Sequence, residues 1–172
     1  MRRHLPALAV AALALLPALP ALRGDALLVG RDLLAYGHAR GAALGQALRE
    51  EGVPRWNPHA HHGASWWGPR AGGVVYPANA LFALLPPGMA VAWFVALHLA
   101  LAIEGARRLA CHDLPAAPAA AAGLAYGLSG FVLSTHWNLP FLASAALLPW
   151  AGVAGRVAAT RPARGAALAG AT

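Results

Sequence analysis

Three histidines lie close together in the stretch GVPRWNPHAHHGASWWG, residues 52–68, which contains no acidic residue. Neutral imidazole nitrogens bind transition metals, so His59, His61 and His62 are candidate metal ligands. Three histidines within four loop residues, with no Cys or acid beside them, are more typical of an exposed or interfacial surface. We therefore keep metal binding as the alternative and exposed histidines as the default interpretation.

Two aspartates precede this stretch, Asp25 and Asp32. A carboxylate accepts a proton as a general base, and it is also favourable at the start of a helix, where it has no catalytic role. The guanidinium groups of Arg31 and Arg40 have the geometry to bind phosphate oxygens. Alternatively, these two arginines contact solvent or lipid head groups instead of a ligand.

Polar residues also interrupt the apolar runs. His98 lies in the middle of one run, and an ionisable residue inside a membrane faces a helix-bundle interior or a cavity. A neutral histidine bonded to a helix carbonyl explains it equally well. Glu104 has the spacing to pair with Arg107 and Arg108. The sequence contains no P-loop, no dinucleotide glycine pattern, no Ser/His/Asp set and no Cys/His zinc spacing.

The composition is that of a membrane protein. Only 11% of the residues are charged, against about a quarter in a soluble domain. The basic residues are all arginines, and they stand in small groups between apolar runs rather than in a cluster that would favour nucleic acid. Cys111 is the single cysteine, so it forms no internal disulfide.

The uncharged run from residue 5 to residue 22 reaches about 27 Å as a helix, close to the hydrocarbon thickness of a bilayer. We predict a first transmembrane span over residues 1–22. A cleaved signal peptide is the alternative, because Arg2 and Arg3 resemble a basic leader. In both cases the following segment lies outside the cytoplasm.

Three further spans follow from the charges and prolines that bound the other apolar runs. We predict them near residues 88–106, 116–134 and 139–156, with the polar stretch STHWNLP, residues 134–140, as the turn between the last two. The fold class is therefore an all-α polytopic membrane protein with about four transmembrane helices.

The arginines predict the orientation. With a cytoplasmic N-terminus, seven arginines beside span ends are on the cytoplasmic side, as the positive-inside rule requires, and the six arginines of residues 23–87 lie in a long loop, which translocates largely regardless of charge. The loop over residues 23–87 is then extracytoplasmic, and the segment after residue 156 is a basic cytoplasmic tail. The cytoplasmic arginines are Arg2, Arg3, Arg107, Arg108, Arg156, Arg161 and Arg164.

Within the large loop, residues 31–52 have apolar positions at helical spacing, which predicts an amphipathic helix on the membrane surface. Gly37, Gly41 and Gly45 recur at every fourth position of this helix. Such a row either marks close packing against another helix or is a glycine-rich face of a loosely formed helix.

Four segments resemble, in order and separation, the N-terminal part of the YfhO-like bacterial membrane proteins, which are polytopic glycosyltransferases of the GT-C type. The segments are VPRWNPHAHHG, VVYPANALFALLPP, LHLALAIEGARRLA and AGLAYGLSGFVLSTHWNLPFLASAALLPWAGV. The resemblance covers residues 32–156, and it departs from the family at the three histidines of the loop.

This resemblance implies a function in the bacterial cytoplasmic membrane. The chain would be the N-terminal fragment of a membrane glycosyltransferase that moves a sugar from a polyprenyl-phosphate donor to a cell-envelope acceptor. It would be inactive alone. Its partners would be membrane lipid and the sugar donor, and a divalent metal stays open as a cofactor. The alternatives are a non-catalytic membrane assembly subunit and a transporter or flippase fragment.

The resemblance also implies roles for single residues. Asp32 would be the catalytic base of the first extracytoplasmic loop. The substrate-binding candidates are Arg31, Trp56, Asn57, His98, His136 and Asn138.

Overall fold

The computed structural model describes residues 18–60, 62–68 and 73–160, and the chain is mostly helical. The helices are α1 Leu19–Arg23, α2 His38–Glu51, α3 Ala80–Leu84, α4 Pro87–Ala110, α5 Ala116–Gly127, α6 Gly130–Ser134 and α7 Leu139–Thr160. A π-helical turn, Leu33–Gly37, precedes α2, and 3₁₀ turns span Pro77–Asn79 and Thr135–Trp137. Two short strands, β1 Trp56–Asn57 and β2 Ala64–Ser65, pair as an antiparallel hairpin.

Three helical segments are long and apolar enough to cross a membrane: Pro87–Ala110, Ala116–Trp137 and Leu139–Ala159. They correspond to the last three predicted spans, and each runs about one helical turn further than predicted. Most of the first predicted span, residues 1–22, lies outside the described residues. Its C-terminal end is α1, which lies against α4 through a bond from the Trp93 indole nitrogen to the carbonyl of Leu22, at 3.1 Å.

Helix α4 is the centre of the bundle, and small residues bring its neighbours close. α5 runs antiparallel to it, so Gly123 lies against Arg107 and Gly127 against Ile103. α7 runs parallel to it, with the ring of Trp150 over Gly105. Side chains larger than glycine at these positions would separate the helices.

The second long segment is not a continuous helix, in contrast to the predicted span. α5 ends at Gly127 and α6 begins at Gly130, because glycine and serine lower helix propensity there. The Ser129 hydroxyl caps α6 by accepting a hydrogen bond from the backbone N–H of Val132 at 3.2 Å.

A proline inside α7 has a compensating contact. Pro149 has no N–H, so the carbonyl of Ala145 loses its bond within the helix. The hydroxyl of Tyr126 donates to that carbonyl at 2.8 Å. An unsatisfied carbonyl in an apolar environment is thereby avoided.

The bundle has two different ends. The end where α4 and α7 finish carries Glu104, which accepts hydrogen bonds from Arg107 and Arg108 at 2.7 Å. There Arg156 also pairs with both carboxylate oxygens of Asp113, at 3.0 and 2.6 Å. We call this the arginine end. The other end, where α4 and α7 begin, carries the loop and is called the cavity end.

The segment predicted as a surface helix is helical from residue 31 to Glu51, and it contains the π-helical turn near its start. Two of the three glycines in its row pack closely against another helix, which was one of the two alternatives, whereas Gly37 lies against Leu33 of its own segment. Gly41 and Gly45 both contact Phe82, on the short helix α3, and Arg49 donates to the carbonyl of Phe82 at 3.2 Å.

Candidate functional site

A cavity of about 330 Å³ lies at the cavity end. Three separate parts of the chain enclose it: the start of α2, the segment from Gly73 to the first turns of α4, and the start of α7. Its wall is largely apolar and aromatic, and of the described residues that line it none is acidic. The lining residues are Tyr36, Gly37, Arg40, Gly41, Gly73, Tyr76, Asn79, Phe82, Phe94, Asn138, Leu139, Pro140 and Ala143.

Arg40 supplies positive charge to this wall. Its guanidinium lies 5.5 Å from the centre of the Trp66 ring, a cation–π distance. Burial lowers the pKa of Arg40 from its usual value, and the neighbouring Tyr36 opposes that change. Arginine nevertheless stays protonated in proteins, so the cavity has a permanent cation in its wall.

Tyr76 connects the cavity to the core of the bundle. Its hydroxyl lies 2.6 Å from Nε2 of His98, and Nδ1 of His98 lies 2.7 Å from the carbonyl of Phe94. His98 is fully buried and stacks on the Phe94 ring at a centroid distance of 4.1 Å. Burial raises the pKa of the Tyr76 phenol, so it is neutral at physiological pH.

Two asparagines are fixed by backbone contacts. The side-chain nitrogen of Asn79 donates to the carbonyl of Gly73 at 2.6 Å. The side-chain oxygen of Asn138 accepts from the backbone N–H of Phe141 at 3.3 Å, which caps the start of α7. In each asparagine the other amide atom makes no hydrogen bond within the described part of the chain.

Asp32 and Arg31 do not line the cavity. Asp32 lies at the start of the π-helical turn, and its carboxylate forms no hydrogen bond or ion pair with the described residues. That turn contacts the 3₁₀ turn Thr135–Trp137, and Gly30, which precedes it, lies against Trp137 and beside His136. Asp32 is partly buried, and Arg31 is exposed.

The hairpin holds two other predicted residues away from the cavity wall. Trp56 is exposed and covers Gly63, whereas Asn57 is buried and accepts a hydrogen bond from the backbone N–H of His59. The hairpin reaches α2 through Trp66, which packs with Leu44 in a small apolar cluster. Asn57 thus stabilises the turn of the hairpin.

The histidines of the loop give no metal site in the described ranges. No group of three potential ligands occurs there, and His61 lies outside these ranges. His59 is exposed, and His62 has a left-handed backbone with φ of 60° in the hairpin turn.

Of the predicted substrate-binding residues, Asn138 lines the cavity, and His98 lies directly behind Tyr76. His136 bonds through Nδ1 to the carbonyl of Leu133 at 2.6 Å, lies beside Gly30 and does not line the cavity. Sequence reasoning did not select Tyr36, Tyr76 or Asn79. The polar residues of the stretch VVYPANALF, within an otherwise apolar segment, were the available signal.

Comparison with known protein families, with curated proteins and with solved structures gave no match. The resemblance to YfhO-like proteins therefore stays a prediction.

Proposed function

We propose that the cavity end is the lipid-donor site of a membrane glycosyltransferase that transfers a sugar from polyprenyl phosphate to a cell-envelope acceptor. The observation that carries the proposal is the cavity itself. It combines apolar, aromatic walls with a permanent cation, Arg40, where the long apolar helices α4 and α7 begin.

A polyprenyl phosphate has the matching chemistry. Its hydrocarbon chain lies along the apolar faces of membrane helices, and its phosphate lies at the level where such helices end. A guanidinium binds phosphate oxygens through paired hydrogen bonds, and it is more effective in a partly buried site. Phe82 and Phe94 supply apolar contact area beside Arg40.

The proposed topology places the cavity outside the cytoplasm. The arginine end carries Arg107, Arg108 and Arg156 beside the ends of the helices, as cytoplasmic loops do. With a first span before α1, the chain has four spans and a cytoplasmic N-terminus in a bacterial cytoplasmic membrane. Donor and acceptor would then meet at the extracytoplasmic surface.

Asp32 is the proposed general base. Sugar transfer with inversion needs a carboxylate that accepts the proton of the attacking hydroxyl. The Asp32 carboxylate has no partner among the described residues, and it belongs to the turn that contacts the 3₁₀ turn beside the cavity. An acceptor would therefore approach beside the 3₁₀ turn Thr135–Trp137 rather than through the cavity.

The proposal is tested by separating binding from transfer. A photoreactive polyprenyl phosphate should label cavity residues of the protein in nanodiscs, in the unaltered chain and in Asp32→Asn alike. Transfer from a radiolabelled donor, measured in native membranes, should fall by about 100-fold or more in Asp32→Asn, because a general base contributes on this scale. Asp25→Asn is the matched control and should retain transfer. Absence of labelling in the cavity would contradict the proposal.

A second candidate is a non-catalytic lipid-binding subunit. It is favoured by the position of Asp32, which does not line the cavity. The two candidates differ in one result: labelling with full transfer in Asp32→Asn would favour the subunit.

A further inference from the structure

We infer that Tyr76 and Asn79 recognise the hydroxyl groups of the unit attached to the lipid phosphate, by presenting hydrogen-bond acceptors to the cavity. This inference rests on the proposed function, because it concerns the head group of the same ligand. It assigns the specificity of the site to Tyr76 and Asn79, two residues that the proposed function does not use.

The direction of the Tyr76 hydrogen bond follows from His98. A backbone carbonyl only accepts, so at 2.7 Å from the Phe94 carbonyl the Nδ1 atom must carry a hydrogen. The imidazole is fully buried with no acid beside it and is therefore neutral, so Nε2 has no hydrogen and accepts. The Tyr76 hydroxyl therefore donates its single hydrogen to His98, and its oxygen lone pairs remain for a ligand.

The orientation of Asn79 follows from the same rule. The carbonyl of Gly73 only accepts, so the group 2.6 Å from it is the amide nitrogen of Asn79. The amide oxygen of Asn79 makes no hydrogen bond within the described ranges, although the residue is only 6% exposed and lines the cavity. A second acceptor is thus available in the same wall.

The cavity lining therefore contains both hydrogen-bond donors and hydrogen-bond acceptors. Arg40 and the amide nitrogen of Asn138 donate hydrogen bonds, whereas Tyr76 and Asn79 accept them. A ligand that satisfies both the donors and the acceptors carries an anionic group and hydrogen-bond donors within one small unit. A glycosyl phosphate has this composition, with the phosphate toward Arg40 and the sugar hydroxyls toward Tyr76 and Asn79.

The size of the cavity agrees with a head group. Its volume of about 330 Å³ is near the lower limit of small-molecule sites, about 300–1,000 Å³. One sugar and a phosphate occupy such a space, and the prenyl chain would extend outside it along the helices.

The test compares two kinds of diester of equal charge on the unaltered protein in nanodiscs. The first is farnesyl phosphate esterified with a hexose, prepared with glucose, galactose and mannose. The second is farnesyl phosphate esterified with cyclohexanol, which has a six-membered ring without further hydroxyls. We expect at least one hexosyl diester to bind about tenfold more tightly than the cyclohexyl diester, the effect of two neutral hydrogen bonds.

The variant Tyr76→Phe should lower this preference to about threefold, because the hydrogen bond to Asn79 remains, and should keep the affinity for the cyclohexyl diester. Tyr126→Phe, which removes a phenol outside the cavity, is the matched control and should keep the preference. Equal binding of the cyclohexyl diester and all three hexosyl diesters to the unaltered protein would overturn the inference and leave the proposed function standing. If none of the diesters and no farnesyl phosphate binds, the proposed function fails as well.

Discussion

The two ends of the helix bundle use their arginines in opposite ways. At the arginine end, Glu104 neutralises Arg107 through two hydrogen bonds of 2.7 Å, and Asp113 holds Arg156. At the cavity end, Arg40 lies against the aromatic ring of Trp66 and lines an open volume. Charge at the first end thus joins neighbouring turns and helices, whereas at the second end the charged residue is one of those that line a space that a ligand can enter.

The arginines of this basic membrane protein therefore have different roles at the two ends. Those of the arginine end are compensated by neighbouring acids and contribute to topology and packing. Arg40 is positioned by aromatic residues and carries its charge into an apolar wall, where an anion is bound more strongly than in water. Variants at the two ends should therefore give different kinds of effect.

The largest expected effect is on the packing that forms the cavity end. In Gly45→Ala the new Cβ would overlap the carbonyl oxygen of Phe82, so α2 and α3 must separate. We expect a loss of about 3 kcal/mol of stability, the upper range for overpacking, measured by thermal unfolding in detergent. Gly155→Ala is the control, because a Cβ there meets open space. Equal melting temperatures for the two variants would show that this contact does not support the cavity.

The second largest effect is expected on ligand binding, which should depend on the arginine at the cavity end. Arg40→Gln removes the charge in the cavity and should weaken binding of farnesyl phosphate by about 10- to 100-fold, as expected for loss of charge-assisted hydrogen bonds. Isothermal titration in nanodiscs measures this change. Arg55→Gln, on the hairpin, removes the same charge at an exposed position and should bind normally. Similar losses in both variants would mean that general surface charge attracts the lipid.

The smallest effect is expected at the arginine end. Glu104→Gln leaves Arg107 and Arg108 without their shared carboxylate, but the Glu104 side chain is 37% exposed. We expect a loss of about 1 kcal/mol of stability and unchanged binding of farnesyl phosphate. Thermal unfolding and titration measure the two quantities. Weaker binding in this variant would show that the two ends are coupled and that their arginines do not have separate roles.

The local features of the fold were predictable from the sequence. Hydropathy and bounding charges located the three long apolar segments, and the spacing of Glu104, Arg107 and Arg108 predicted their ion pairs. Both signals are contained within a few helical turns. The break at Ser129 was missed, because a run without charges gives no sign that a cap will interrupt it.

The cavity could not be predicted in the same way. Arg40, Tyr76 and Asn138 come from three segments that are distant in the sequence, and only their packing shows that they share a wall. Asp32 was selected on the resemblance, and it is not among the residues that line the cavity. The sequence identified polar residues one by one, whereas their hydrogen-bond directions decide what each can offer a ligand.

The bonding of His98 also bears on the order in which the protein is made. A polar side chain in lipid is costly until its hydrogen bonds are satisfied. Both partners of His98, Tyr76 and Phe94, precede it in the chain, so they have left the ribosome before it does. α4 therefore needs no later helix to satisfy its histidine during insertion. α5 and α7 can join it afterwards through glycine contacts such as those at Gly105 and Gly127.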